Sequence, residues 1–122
     1  MDPRVQTVIT LMEHDFDQHL SLAILAKAVN LSPWRLCHIF KIDTSVAPLH
    51  YLRSLRMEHA KILLETTFLS VKQIMTEVGV SDESHFVRDF KSAYGVSPTR
   101  FRLRMDIRNG QRTKLTANPA KR

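Results

Sequence analysis

Residues 71–91, VKQIMTEVGVSDESHFVRDFK, decide the fold once they are laid over residues 22–41, LAILAKAVNLSPWRLCHIFK. Leu22, Leu25, Val29, Asn30, Leu31 and Ser32 match Val71, Ile74, Val78, Gly79, Val80 and Ser81 at an offset of 49 residues. After one inserted residue, Leu36, Phe40, Lys41, Val46, Pro48 and Tyr51 match Phe86, Phe90, Lys91, Val96, Pro98 and Phe101 at an offset of 50. Matches at this density mark an internal structural repeat. Each copy has the same mechanical order. A short apolar-periodic helix ends at Asn30 or Gly79, residues that tolerate the left-handed conformation a tight turn needs. An apolar plug (Leu31 or Val80) follows, and then a serine that can cap the next helix. That order is a helix-turn-helix, and it occurs twice.

Outside the repeat, apolar residues also recur at helical spacing, as in Val5, Val8, Ile9, Met12 and Phe16, and no segment reads as a strand. Capping chemistry sets the helix starts. Ser21 is stapled by Leu20 and Leu25, and Ser70 with Gln73 forms a capping box stapled by Leu69 and Ile74. Ser32-Pro33 and Ser97-Pro98 each place a hydroxyl before a proline at the first helical position. The predicted helices are 4–14, 22–29, 33–43, 48–65, 71–78, 82–94 and 98–106. The expected fold class is all-α, with about seven helices in one domain over residues 1–108. Its helix-turn-helix units, 22–43 and 71–94, are joined by a long linker helix, 48–65, and followed by a closing helix, 98–106. From Asn109 onward Gly110, Asn118, Pro119 and the charges break the periodicity, so 109–122 is expected to be a disordered basic tail.

Composition narrows the function. The chain has 122 residues, 43% hydrophobic and 25% charged, which suits an ordinary globular domain rather than a disordered segment. One cysteine permits no internal disulfide and fits a reducing compartment. Polar residues interrupt the first apolar stretch, and nothing approaches a membrane span, so the expected location is the cytoplasm. The net charge of +6 is uneven. Residues 1–20 carry Asp2, Glu13, Asp15 and Asp17 against Arg4. Residues 98–122 carry Arg100, Arg102, Arg104, Arg108, Arg112, Lys114, Lys121 and Arg122 against Asp106. Clustered arginine suits a polyanion, because neutralised phosphates release counterions. An enzyme is disfavoured by the lack of a triad-like set, paired carboxylates or a phosphate-binding glycine loop. His14 and His19 have no companions at ligand spacing, so neither metal nor cofactor is expected.

The second helix of each unit is the candidate reader of double-stranded DNA, since a major groove admits one such helix. Helix 33–43 should bury Leu36 and Phe40, with Ile39 at the edge, and present Trp34, Cys37, His38 and Lys41. Helix 82–94 should bury Phe86, Phe90 and Ala93, and present Ser84, Val87, Arg88 and Lys91. Arg88 suits bidentate hydrogen bonds to guanine, and Val87 suits a thymine methyl. Trp34 either packs on methyls and sugars or sits at a rim and fixes its turn. Lys41 and Lys91 suit phosphates, as do Arg35 and His85, unless they are solvated charges. Glu83 fits a helix dipole better than a cytosine contact. Cys37 reads as a packing or groove-facing residue rather than a redox sensor. The linker helix carries two apolar stripes, Leu52–Leu55–Ile62 and Met57–Ala60–Leu64, as expected of a rigid spacer packed on more than one side. Such a spacer would set the two reading helices in successive grooves on one face of the duplex.

These residues resemble the DNA-binding domain of the AraC-type (AraC/XylS) transcription regulators over residues 4–106. The most specific stretch runs from Leu69-Ser70-Val71 through Val78-Gly79-Val80-Ser81-Asp82-x-Ser84-x-Phe86-x-Arg88-x-Phe90-Lys91 to Tyr94-Gly95-Val96-Ser97-Pro98-x-x-Phe101-Arg102. The resemblance implies seven helices and DNA contacted over two major-groove segments. Its base-reading positions fall on Trp34, Cys37 and His38 in the first unit, and on Glu83, Ser84, Val87 and Arg88 in the second. It also implies a promoter-bound activator that contacts RNA polymerase, although repression is equally open chemically. Two positions depart from the family pattern: Met75 replaces a usual alanine, and Ser45 replaces the glycine retained at Gly95. Many relatives carry a separate sensing or dimerising domain. This chain reads either as a single-domain regulator, monomeric and controlled by its own abundance, or as an excised fragment of a larger ligand-responsive one. A protein-interaction module is the other reading, disfavoured by lysine on the presented faces.

Overall fold

Serine and aspartate side chains start six of the seven helices among the described residues by accepting a backbone N–H of the first turn, so capping chemistry divides the chain as its sequence suggests. The computed structural model describes the backbone of residues 1–116 and the side chains of 1–108. Its order is α1 (Pro3–Asp15), α2 (Leu22–Ala28), α3 (Pro33–Thr44), α4 (Pro48–Thr66), α5 (Val71–Glu77), α6 (Glu83–Tyr94) and α7 (Pro98–Thr116), with no strand among the described residues. The caps are Asp2, Ser21, Ser32, Ser70, Asp82 and Ser97. At Ser70 the box closes both ways, because Gln73 Oε1 accepts the Ser70 N–H in return. Only α4 starts without such a cap, at Ala47.

The helix-turn-helix units close by the same hydrogen bonds. The Leu31 N–H reaches back to the Ala26 carbonyl, and the Val80 N–H to the Met75 carbonyl. Asn30 and Gly79 hold the left-handed turn at φ 58° and 80°. The exit turns match as well: Ser45 (φ 70°) and Gly95 (φ 84°) donate to the Lys41 and Lys91 carbonyls. Met75 in place of alanine thus leaves the turn's bonding intact.

Each unit has its own core. The first gathers Val5, Val8 and Met12 of α1 with Leu25, Ala26, Leu36, Phe40 and Leu52. The second gathers Met57, Ala60 and Leu64 of α4 with Ile74, Met75, Val78, Phe86 and Phe90. In the second, Phe90 packs against Tyr94 and edge-on to Phe101, at 4.9 and 5.6 Å between ring centroids. The two stripes of α4 therefore serve different masters: Leu52, flanked by Leu55, faces the first core, and Met57, Ala60 and Leu64 face the second. Ile62, read as part of the first stripe, is 46% exposed, since it lies beyond the reach of that core.

Three further expectations change. Ala93 is exposed, because Phe86 and Phe90 alone fill the core side of α6. The closing helix does not stop at 106 but runs to Thr116. Gly110 weakens a helix without breaking it, and no proline intervenes before Pro119. The expected disorder of 109–122 thus gives way to helical backbone over 109–116, and its remainder, 117–122, lies outside the described residues. Arg102, grouped in sequence with the polyanion-seeking cations, points inward. It donates to the carbonyls of Leu63, Leu64, Thr67 and Leu69, at and just past the C-terminal end of α4, where backbone partners run short.

Candidate nucleic-acid interface

The two candidate reading helices are held from behind by large buried side chains, Leu36 and Phe40 for α3 and Phe86 and Phe90 for α6. Each is therefore a rigid platform whose outer face is free to present side chains. On α3, Trp34 stands 70% exposed, which excludes a buried rim role for it. Its ring stacks on His38 one turn later, with centroids 5.2 Å apart and planes within 8°. The pair makes a flat aromatic surface on the outer face. Cys37 beside it is half-buried and unpaired as a thiol, while Arg35 and Lys41 are exposed.

On α6, Glu83 occupies the first turn, where a carboxylate meets the positive end of the helix dipole. Ser84, His85 and Lys91 are exposed, and Val87 is half-buried beside them. Arg88 is exposed, and its Nε lies 3.5 Å from Asp89 Oδ1. The other oxygen of Asp89 lies 3.9 Å from Arg53 Nε on α4, so one carboxylate tethers the root of the reading face to the linker. Asp82 accepts the His85 N–H, and this bond, aided by the His85 and Arg88 charges, holds its carboxyl below the usual range.

The geometry thus joins Trp34 to His38, Arg88 to Asp89, and His85 to Asp82, whose Oδ2 lies 4.0 Å from His85 Nδ1. Sequence reasoning missed Asp89, Arg53 and Arg56. A carboxylate next to Arg88 is visible in the sequence, but its partner on α4 is not. Among the described residues no three His, Cys, Asp or Glu side chains gather as a metal set. No described helix is long and apolar enough to cross a membrane.

Twin helix-turn-helix units on a shared linker, each presenting a helix with arginine, lysine or aromatic side chains outward, are the arrangement that comparison can identify. A helix-turn-helix domain family matches residues 25–104, from inside α2 to inside α7. The chain belongs to the AraC-type helix-turn-helix family. This AraC-type chain is similar to the arabinose operon regulatory protein of Salmonella typhimurium (strain LT2), 36% identical over 103 residues that cover 84% of the chain and 37% of the relative. It also resembles the lactose operon transcription activator of Staphylococcus xylosus, 28% identical over 88% of the chain and 38% of the relative. It spans little more than a third of the length of these curated relatives. Among solved structures, the C-terminal domain of AraT, a response regulator from Geobacillus stearothermophilus, superposes with a TM-score of 0.79 at 33% identity, covering 83% of this chain and 84% of that one. The DNA-binding domain of AdpA, solved in complex with a target DNA, gives 0.83 at 24% identity over 88% and 97%, a likeness of fold.

Proposed function

We propose that this chain binds double-stranded DNA sequence-specifically and regulates transcription, as an activator at a bacterial promoter, by seating α3 and α6 in adjacent major-groove segments. The carrying observation is the duplication itself: two reading helices, closed by identical backbone bonds and fixed to one linker, leave their polar faces free. A 19-residue α4 is about 28 Å long at 1.5 Å per residue. That length approaches the roughly 34 Å of one duplex turn, the step between successive major-groove segments on one face.

In this reading Arg88 hydrogen-bonds a guanine edge, Val87 meets a thymine methyl, and Ser84 bonds a base or sugar. Glu83 supports the helix dipole and can also accept from a cytosine amino group. Trp34 and His38 give the first unit a contact of apolar surface and shape, with Cys37 alongside. Arg35, Lys41, His85 and Lys91 contact phosphates, which position the protein without reading sequence. The chain is then a binding protein rather than an enzyme, needs no cofactor or metal, and acts as a monomer in the cytoplasm, on nucleoid DNA. RNA polymerase is its second partner. Selection from random duplexes followed by footprinting tests this reading. Protection of two neighbouring major-groove segments is the expected result; protection of one short half-site overturns it.

A further inference from the structure

We propose that the loop between α1 and α2, residues 16–21, is a strut that fixes how the second unit is rolled against the first, so that Phe16, Arg56 and Gly79 are positioning residues for the spacing between half-sites. The proposal rests on the reading that both units enter DNA. A shared helix alone does not set this geometry. Each unit packs on α4 along its own stripe, and the second is tied to it further by Arg53–Asp89 and by Arg102, but any bend or twist of the helix between the two stripes changes how the units face each other. A second point of contact removes the freedom.

The loop supplies that point in four ways. Phe16 packs against both cores, the one side chain among the described residues common to the two clusters. Its ring lies flat on His59 of α4, with centroids 3.9 Å apart and planes within 13°. Arg56 of α4 donates from Nε to the Phe16 carbonyl at 2.7 Å and from Nη2 to the Gln18 carbonyl at 2.8 Å, gripping the loop by its backbone. Finally, the turn of the second unit lies directly on the loop: a Cβ on Gly79 would stand 2.6 Å from the Asp17 carbonyl oxygen. Nearby, the units part around a cleft of about 520 Å³ that reaches from Ser21 and Leu22 to His85 and Asp89.

This contact also explains an asymmetry in the repeat. The left-handed turn residue is asparagine in the first unit and glycine in the second, although φ is positive in both. Left-handed backbone by itself admits asparagine. Asn30 is exposed, whereas the second turn is pressed against another loop's backbone, where no side chain fits. The sequence thus carries, at Gly79, the mark of an inter-unit contact.

One inserted base pair turns a half-site by about 35° and shifts it by about 3.4 Å, a change a rigid pair of readers cannot follow. The test uses the full chain and duplexes bearing both selected half-sites, at native spacing or with one extra base pair, beside duplexes with a single half-site. Wild type should lose about tenfold or more in affinity on the insertion, because the second contact is no longer intramolecular. Arg56→Gln and Gly79→Ala should bind the single half-site within about twofold of wild type, yet lose about tenfold at native spacing. Their penalty for the insertion should fall below about threefold. Phe16→Leu, which keeps apolar bulk but removes the stack, replaces Gly79→Ala if that variant does not melt cooperatively. NMR relaxation without DNA supplies an independent readout: one rotational correlation time for both units in wild type, two in Arg56→Gln. Variants that keep the wild-type spacing penalty, or that still tumble as one body, overturn the strut. A wild type indifferent to the second half-site would instead overturn the DNA reading, and relaxation would still judge the strut.

Discussion

Ser45 and Gly95 offer a paired test, because equivalent residues of the repeat should respond to opposite substitutions with opposite signs. Both end a reading helix in left-handed backbone, at φ 70° and 84°, and both donate their N–H to the carbonyl four residues back. A residue with a Cβ is disfavoured there by roughly 1–2 kcal/mol relative to glycine. Glycine in turn loses about 0.4–1 kcal/mol more backbone entropy on folding. Ser45→Gly should therefore stabilise by a net of about 0.5–1 kcal/mol, since Ser45 is exposed and no side-chain hydrogen bond ties it to the described residues. Gly95→Ala should destabilise by a similar amount and no more, because an added Cβ there meets nothing within 4 Å. For a chain of this size the expected shifts in Tm are about 2–5 °C, upward for the first and downward for the second. Urea melts followed by circular dichroism measure both, and unchanged m-values would assign the effect to stability rather than to denatured-state compactness. A destabilising Ser45→Gly refutes the argument, since strain at φ 70° would then be outweighed by a contact of the hydroxyl.

Other outcomes follow from the same geometry. Arg102→Met should cost about 2–3 kcal/mol, since it removes the charged donor of four carbonyls at the end of α4, and the loss should appear as a lower urea midpoint. Phe90→Ala leaves a void among Phe86, Tyr94 and Phe101 and should cost about 3–5 kcal/mol, enough to lose amide protection in the second unit before the first. The Asp2 carboxyl, bonded to the Arg4 side chain and backbone N–H, should titrate near its depressed value of about 2. Because that value lies below the unfolded one, its contribution to stability is complete above about pH 4 and disappears as pH falls through 2, which carboxyl NMR can follow. Arg88→Ala should cost about 1–3 kcal/mol at one base position only, whereas Lys91→Ala should weaken all sequences and flatten the salt dependence by about one unit of slope. Equal losses on selected and random duplexes would remove Arg88 from the base-reading set.

Much of this fold was legible because its information is local. Capping serines, prolines at first helical positions and left-handed turn residues act within four residues of where they stand. Six helices accordingly fall within about a residue of their predicted ends. The repeat added what local signals cannot, namely that two units share one plan. What escaped was non-local or additive. Phe16 looked like the last rung of an amphipathic α1, yet it sits just past that helix and between the cores. Arg56 and Arg102 carry no sequence signal for their roles, since nothing in the sequence says which carbonyls a fold leaves open. The closing helix extends past 106 because residues without apolar periodicity can still continue a helix, and Gly110 is only a weak link in it. On the reading faces, the sequence named side chains but not their couplings. The Trp34–His38 stack follows from i, i+4 spacing, whereas Asp89 reaches Arg53 only through the packing of α6 on α4.

The central claim is that both units read DNA in one binding event and do so unequally. Equilibrium binding to a selected duplex in which one half-site or the other is scrambled measures this directly. Losses should appear in both cases, larger when the half-site facing α6 is scrambled, since Arg88 can offer a bidentate contact and the Trp34–His38 surface cannot. Affinity left unchanged by scrambling either half-site would contradict the account.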